Sequence, residues 1–227
     1  DEMEKDGFVW WKNRMKKSAD MYDVIRIDHF IGLAKYYSVP AESEDARSGE
    51  YRNGPGKKLT DVINKAIGEK KIIAENLGVA MPEADELLEI NDYPPMQVIE
   101  FAFDGGRDNP HLPHNYKTNS VVYGGTHDNE TLQGFFDSRT DEQLKYAFDY
   151  LDTKDRKKIV DKVFRAAYGS VAALAIFQAQ DILRLDNSAR MNFPSTFGEN
   201  WKWRLKKGQL THKHAEELRT LAAIFGR

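Results

Sequence analysis

Three short runs of this 227-residue chain pass directly from apolar or small residues into an acid: Ile25-Arg26-Ile27-Asp28-His29-Phe30, Ile72-Ile73-Ala74-Glu75-Asn76-Leu77-Gly78 and Tyr123-Gly124-Gly125-Thr126-His127-Asp128-Asn129. No other pattern limits the fold as strongly. If each run is a buried strand of one parallel sheet, all three carboxylates leave it at the same end, where barrels and open α/β sheets place their chemistry.

The residues between the runs have helical periodicity. Phe8, Trp11, Met15, Ala19 and Tyr22 form one amphipathic stripe, with Trp10 and Trp11 read as core; Leu59, Val62, Ile63, Ala66 and Ile67 form another, closed by Gly68. Pro82 suits the first turn of a helix through Leu87, Leu88 and Ile90. Thr140 with Gln143 reads as a capping box before Leu144, Ala147, Phe148 and Leu151. Two further helices are expected over 155–167 and 211–225. Strands are expected at 24–27, 71–74, 97–103 and 120–123, while the apolar stretch 171–177 fits a strand or a buried helix equally well. Residues 42–58, ending in Asn53-Gly54-Pro55-Gly56, read as a long loop, and 186–203 as irregular. Strand and helix alternation is α/β order. A complete (β/α)8 barrel takes about 250 residues, so about five strands starting within a helix predict a barrel portion whose first strands lie N-terminal to this chain. With no linker or repeat, 1–227 reads as part of one domain.

Composition removes several function classes. The 33 basic and 36 acidic residues leave a net charge of −3, without the basic footprint of a nucleic-acid or anionic-membrane binder. There is no cysteine, hence no disulfide, thiolate nucleophile or Cys-based zinc site. No apolar run reaches the roughly 20 residues of a membrane span, and the start lacks a signal-peptide layout. A soluble, cytoplasmic protein is expected.

The company of each acid suggests its chemistry. Arg26 lies two residues before Asp28, on the same side of the strand, and can pair with it. Glu75 has no basic neighbour in sequence, a setting that suits a general acid, and His127 supplies a donor beside Asp128. In retaining glycoside chemistry one carboxylate attacks the anomeric carbon while the other protonates the leaving oxygen. Tyr36, Tyr37, Tyr51, Trp201 and Trp203, in or beside loops, offer faces for sugar rings. The rival reading makes Asp28-His29 and His127-Asp128 metal ligands of a barrel hydrolase, but no His-x-His or His-x-x-x-His spacing supports it.

The runs, together with Gln180-Asp181, Arg190-Met191-Asn192 and Asn200-Trp201-Lys202-Trp203-Arg204 in that order, resemble the 4-α-glucanotransferases (amylomaltases, disproportionating enzymes) of glycoside hydrolase family 77. The resemblance covers nearly the whole chain. It implies strands four to eight of a (β/α)8 barrel, with Asp28 as nucleophile, Glu75 as acid/base and Asp128 as transition-state stabiliser. Arg26, His127 and Asn192 would position the nucleophile and the substrate. The implied partners are α-1,4-glucans such as maltodextrins, with no cofactor or metal and no nucleic acid or membrane; the compartment is the cytoplasm, or a plastid in a plant. Asn76, Ile31 and Ser195 stand where the family more often has Asp, Arg and, close by, Gly. A glucan-binding fragment without turnover is the alternative, because an open parallel sheet leaves edges and apolar faces uncovered.

Overall fold

A computed structural model describes residues 2–227. The chain divides into two compact units, Asp1–Met96 and Gln97–Arg227. The first contains α1 (Glu2–Lys5), α2 (Val9–Met21), β1 (Val24–Ile27), α3 (Ile31–Ala34), β2 (Lys35–Ser38), β3 (Glu50–Asn53), α4 (Lys57–Ile67), β4 (Lys71–Ala74) and α5 (Pro82–Asn91). Strands β1 and β4 occupy the expected positions and pair in parallel, from Val24 with Lys71 to Ile27 with Ala74. Leu59, Ile63 and Ile67 recur at helical spacing on α4 and bury that face against Phe30, Ile72, Leu87 and Leu88. Gly68, at φ 63°, closes the helix.

The second unit starts at the second residue of β5 (Met96–Val98) and continues with β6 (Val121–Tyr123), α6 (Leu132–Asp137), α7 (Lys145–Tyr150), α8 (Ile159–Tyr168), β7 (Leu174–Ile176), α9 (Ala179–Ile182) and α10 (His212–Phe225). Its sheet has the order β5-β6-β7. The core gathers Val122, Leu132, Phe136 and Phe148 around Ile159, Val160, Val163 and Phe164, the expected apolar face of α8. Both bonds of the Thr140–Gln143 capping box are made, at 2.9 and 3.3 Å.

Asp28 and Glu75 follow strands of the β1-β4 sheet and Asp128 follows a strand of the β5-β6-β7 sheet, and among the described residues no sheet closes on itself. A single parallel bridge pairs Ala74, at the end of β4, with Pro95, just before β5. Several expectations are corrected. The stretch 42–58 is not all loop: β3 folds back antiparallel on β2, pairing Tyr37 with Tyr51. The strand expected over 97–103 ends at Val98, because Ile99–Phe101 turns into a single 3-10 turn. The ambiguous stretch 171–177 contains a strand, β7. On α2, Phe8 and Met15 are buried and Trp11 packs beside them, whereas Trp10 and Tyr22 are exposed.

Candidate active site

In the first unit the β1-β4 ladder sets the positions of two of the acids. Asp28 and Glu75 each follow the last paired couple, Ile27 and Ala74, so the register places them side by side. Backbone bonds continue past the strands: the Glu75 N–H donates to the Ile27 carbonyl at 2.9 Å and the Phe30 N–H to the Glu75 carbonyl at 2.8 Å. The chain turns at His29, in the left-handed region at φ 48°. That strained turn points the His29 N–H at Glu75 Oε2, 2.6 Å away, while Oε1 accepts from the Leu77 N–H at 3.1 Å. Arg26 Nη2 pairs with Asp28 Oδ1 at 2.6 Å, as its two-residue spacing suggested. Its Nε reaches the sulfur of buried Met96 at 3.2 Å, and Asn76 Oδ1 accepts from the Met96 N–H at 3.1 Å. The guanidinium is thus braced from behind before it meets the carboxylate.

In the second unit His127, Asp128 and Asn192 come together. Asn192 Nδ2 donates to Asp128 Oδ1 at 2.5 Å, and His127 Nε2 lies 3.4 Å from Asp128 Oδ2. Arg190, which sequence reasoning used only as part of a motif, donates from Nη2 to the Asp128 carbonyl at 2.6 Å. Trp201, half exposed and at φ 64°, lays its ring over His127 with centroids 5.1 Å apart. The Trp201 backbone N–H is tied to the Met191 carbonyl at 2.7 Å. The irregular segment after α9 therefore folds over the Asp128 turn and holds it from several sides.

The predicted residues form two clusters, Arg26-Asp28-Glu75 in one unit and His127-Asp128-Asn192 in the other. Exposed Tyr37 and Tyr51 meet edge to face at 5.1 Å on the hairpin, where the Tyr37 hydroxyl donates to the Ala46 carbonyl. Among the described residues no group of three or more His, Asp or Glu side chains is arranged to hold a metal ion.

Comparison with known proteins gives the site its context. The family model described as 4-alpha-glucanotransferase, glycoside hydrolase family 77, matches residues 1–211. The chain belongs to this family. It is 45% identical to the chloroplastic/amyloplastic 4-alpha-glucanotransferase of Arabidopsis thaliana and 42% identical to the 4-alpha-glucanotransferase of Streptococcus pneumoniae, over 99% of its own length in both cases. Its fold matches an amylomaltase from Streptococcus agalactiae, solved in complex with acarbose, with a TM-score of 0.92 and 36% identity over 99% of this chain. The chain spans less than half of each: 40% and 45% of the two curated glucanotransferases and 46% of the amylomaltase chain. No described helix is long and apolar enough to cross a membrane.

Proposed function

We propose that this chain is the C-terminal, catalytic part of a 4-α-glucanotransferase, in which β1, β4, β5, β6 and β7 serve as strands four to eight of a single (β/α)8 barrel. It acts on α-1,4-glucans by double displacement. Asp28 attacks the anomeric carbon and Glu75 gives its proton to the leaving glucosidic oxygen, so the reducing-end part of the donor departs with a free 4-hydroxyl while the rest stays bonded to Asp28. Glu75 then takes the proton of an incoming glucan 4-hydroxyl, whose oxygen displaces Asp28 and restores the α-linkage. Asp128 stabilises the positive charge that develops on the ring, held for that task by Asn192 and His127. Arg26 keeps the Asp28 carboxylate aimed, and the Trp201 face, supported by His127, offers a surface on which a glucose ring stacks.

The observation that carries this reading is the register of Asp28 and Glu75, with the His29 N–H on the Glu75 carboxyl. Neighbouring strands lie about 4.8 Å apart, and a nucleophile and acid/base for retention stand about 5–5.5 Å apart. A fluorinated glucosyl donor tests it: mass spectrometry of the trapped protein finds the sugar on Asp28. Label on another residue, or full turnover without label on Asp28, overturns the assignment. The share of each relative that the chain covers favours a second reading, glucan binding without turnover by this stretch alone. Conversion of maltotriose to glucose and longer maltodextrins by the isolated 227 residues separates the two.

A further inference from the structure

The turn 124–132, which carries His127 and Asp128, rests on two buried carboxyls. Glu100, just past β5, is 6% exposed and Asp181, in α9, is fully buried. One oxygen of each, Glu100 Oε1 and Asp181 Oδ2, has no hydrogen-bond partner among the described residues. Both face the backbone of the turn. A Cβ built on Gly125 would stand 2.6 Å from Glu100 Oε1, and one built on Gly124 3.3 Å from Asp181 Oδ2. Only glycines let the chain come down this closely on the two acids.

The same two residues fasten both ends of the turn. The Glu100 N–H donates to the Gly124 carbonyl at 3.2 Å, and Asp181 Oδ1 accepts from the Leu132 N–H at 2.7 Å. Between the ends, the Asn129 side chain and the Glu100 carboxyl close on Gly125 together, Asn129 Cβ 3.0 Å and Glu100 Oε1 2.6 Å from a Cβ built there. Asn129 Oδ1 accepts from the Thr126 N–H and Oγ1 at 2.9 and 2.8 Å, and Thr126 Oγ1 accepts from the Asp128 N–H at 3.3 Å. A chain of contacts and hydrogen bonds therefore runs from Glu100 to the backbone of Asp128.

We propose that Glu100 is a positioning residue for Asp128, acting through Asn129 and Thr126, with Asp181 anchoring the far end of the turn. The proposal rests on the assignment of Asp128 to the reaction.

The charged groups around Glu100 decide the form in which it works. Asp181 and Glu130 face it as like charges; Arg139 is the cation that favours its ionised form, and Arg139 is already engaged by Glu130 at 2.8 Å. Burial, reinforced by the two acids, pushes the Glu100 carboxyl well above its usual range. Burial likewise pushes Asp181 up to about 7, against the opposing pull of the Leu132 and Gln178 N–H groups and Arg184. Glu130 is different: despite its desolvation, Arg139, Asn187 and Ser138 hold it below the usual value. Glu130 is therefore the ionised member of the trio, and Glu100 supports the turn as a neutral acid. Ionising Glu100 beside Asp181, with Arg139 already engaged by Glu130, drives the turn off its support.

Glu100→Gln, which keeps the shape and hydrogen bonding of the neutral acid, and Glu100→Leu, which removes both, test this in the protein that carries this chain. Two readouts are needed: maltotriose disproportionation from about pH 6 to about pH 9, and hydrogen exchange of the peptide spanning 124–132. The unsubstituted protein is expected to lose kcat, with KM little changed, and to exchange faster in this peptide as pH rises. Glu100→Gln retains the rate at low pH and has a smaller alkaline fall in both readouts, leaving the part that Asp181 contributes. Glu100→Leu lowers kcat about 10²-fold at every pH, the scale of a misplaced catalytic group, and exchanges fast throughout. If Glu100→Gln is as impaired as Glu100→Leu, or if the alkaline fall is undiminished in Glu100→Gln, the proposal is wrong. If Glu100→Leu fails to fold, Glu100→Gln and the exchange data decide alone. Absence of turnover with the exchange pattern intact counts against the proposed function and leaves the positioning role standing.

Discussion

Gly134 sits inside α6, where helix propensity alone recommends alanine by about 1 kcal/mol. The structure reverses that recommendation. A Cβ at this position would overlap the Asn187 carboxamide, with its Nδ2 only 2.7 Å away. Asn187 cannot yield freely, because Nδ2 donates to Glu130 Oε1 at 2.6 Å and Oδ1 accepts from the Thr131 N–H at 3.2 Å. Displacing it breaks a charge-assisted bond, worth about 1.5–3 kcal/mol, and a neutral one, worth about 1 kcal/mol. After the propensity gain, Gly134→Ala is expected to destabilise by about 1.5–3 kcal/mol, which lowers the melting temperature by roughly 3–12 °C in a chain of this size. Thermal and urea unfolding followed by circular dichroism measure it. A double-mutant cycle makes the reasoning refutable. Once Asn187→Ala has emptied the space, the Gly134→Ala step should change sign and stabilise by up to about 1 kcal/mol. If it destabilises equally in both backgrounds, the overlap with Asn187 is not the cause.

Three further outcomes are expected. Ser195 is exposed and lies at φ 63°, a conformation costing a non-glycine residue about 1–2 kcal/mol, so Ser195→Gly should raise stability by up to about 1 kcal/mol after glycine's own entropy cost, and a lower melting temperature would contradict this. Asp181 has a folded-state value near 7 against an ordinary 3.8; the folded state therefore holds its proton more tightly, and this side chain's support is complete below about 4 and lost as pH rises to about 7, by about 4 kcal/mol. Asp181→Asn should flatten that stretch of the urea-unfolding profile, and an unchanged slope would show that the group titrates normally. Arg26→Met, which retains the packing length but not the charge, should lower kcat for maltotriose about 10²-fold with little change in KM; unaltered turnover would show that the 2.6 Å pair with Asp28 is dispensable.

The parts legible in the sequence were those whose signal is local. Strands β1 and β4 stand out as β-branched runs against polar flanks, and α4, α5 and α10 carry their stripes and terminal signals within a few residues. The β2-β3 hairpin escaped because its four-residue strands are polar and largely exposed, and its order comes from cross-strand pairing and the Tyr37–Tyr51 contact. The break in the strand expected over 97–103 follows from a tertiary demand: the chain must turn after Val98 to bury Ile99 and Glu100 side by side. In the candidate site, the side-by-side placement of Asp28 and Glu75 was readable because an acid directly after a buried strand has one natural exit. Arg190 on the Asp128 carbonyl, 62 residues apart in sequence, and the burial of Glu100 and Asp181 under two glycines have no local signature. Family likeness pointed to Asn192 and to the Gln180-Asp181 motif, yet the task of Asp181 emerges only from its contact with the Leu132 N–H.

The backbone bonds from Glu75 to Ile27 and from Phe30 to Glu75 act as a caliper. Because the gap between the two carboxyls is gauged by adjacent strands and the His29-Phe30 turn, the β2-β3 hairpin, which makes none of these bonds, lies outside that measurement. The hairpin can be lengthened, shortened or exchanged as a cassette without moving the two carboxyls. The aromatic hairpin and the spacing of the carboxyls are then separately inherited traits, and engineering the first need not put the second at risk.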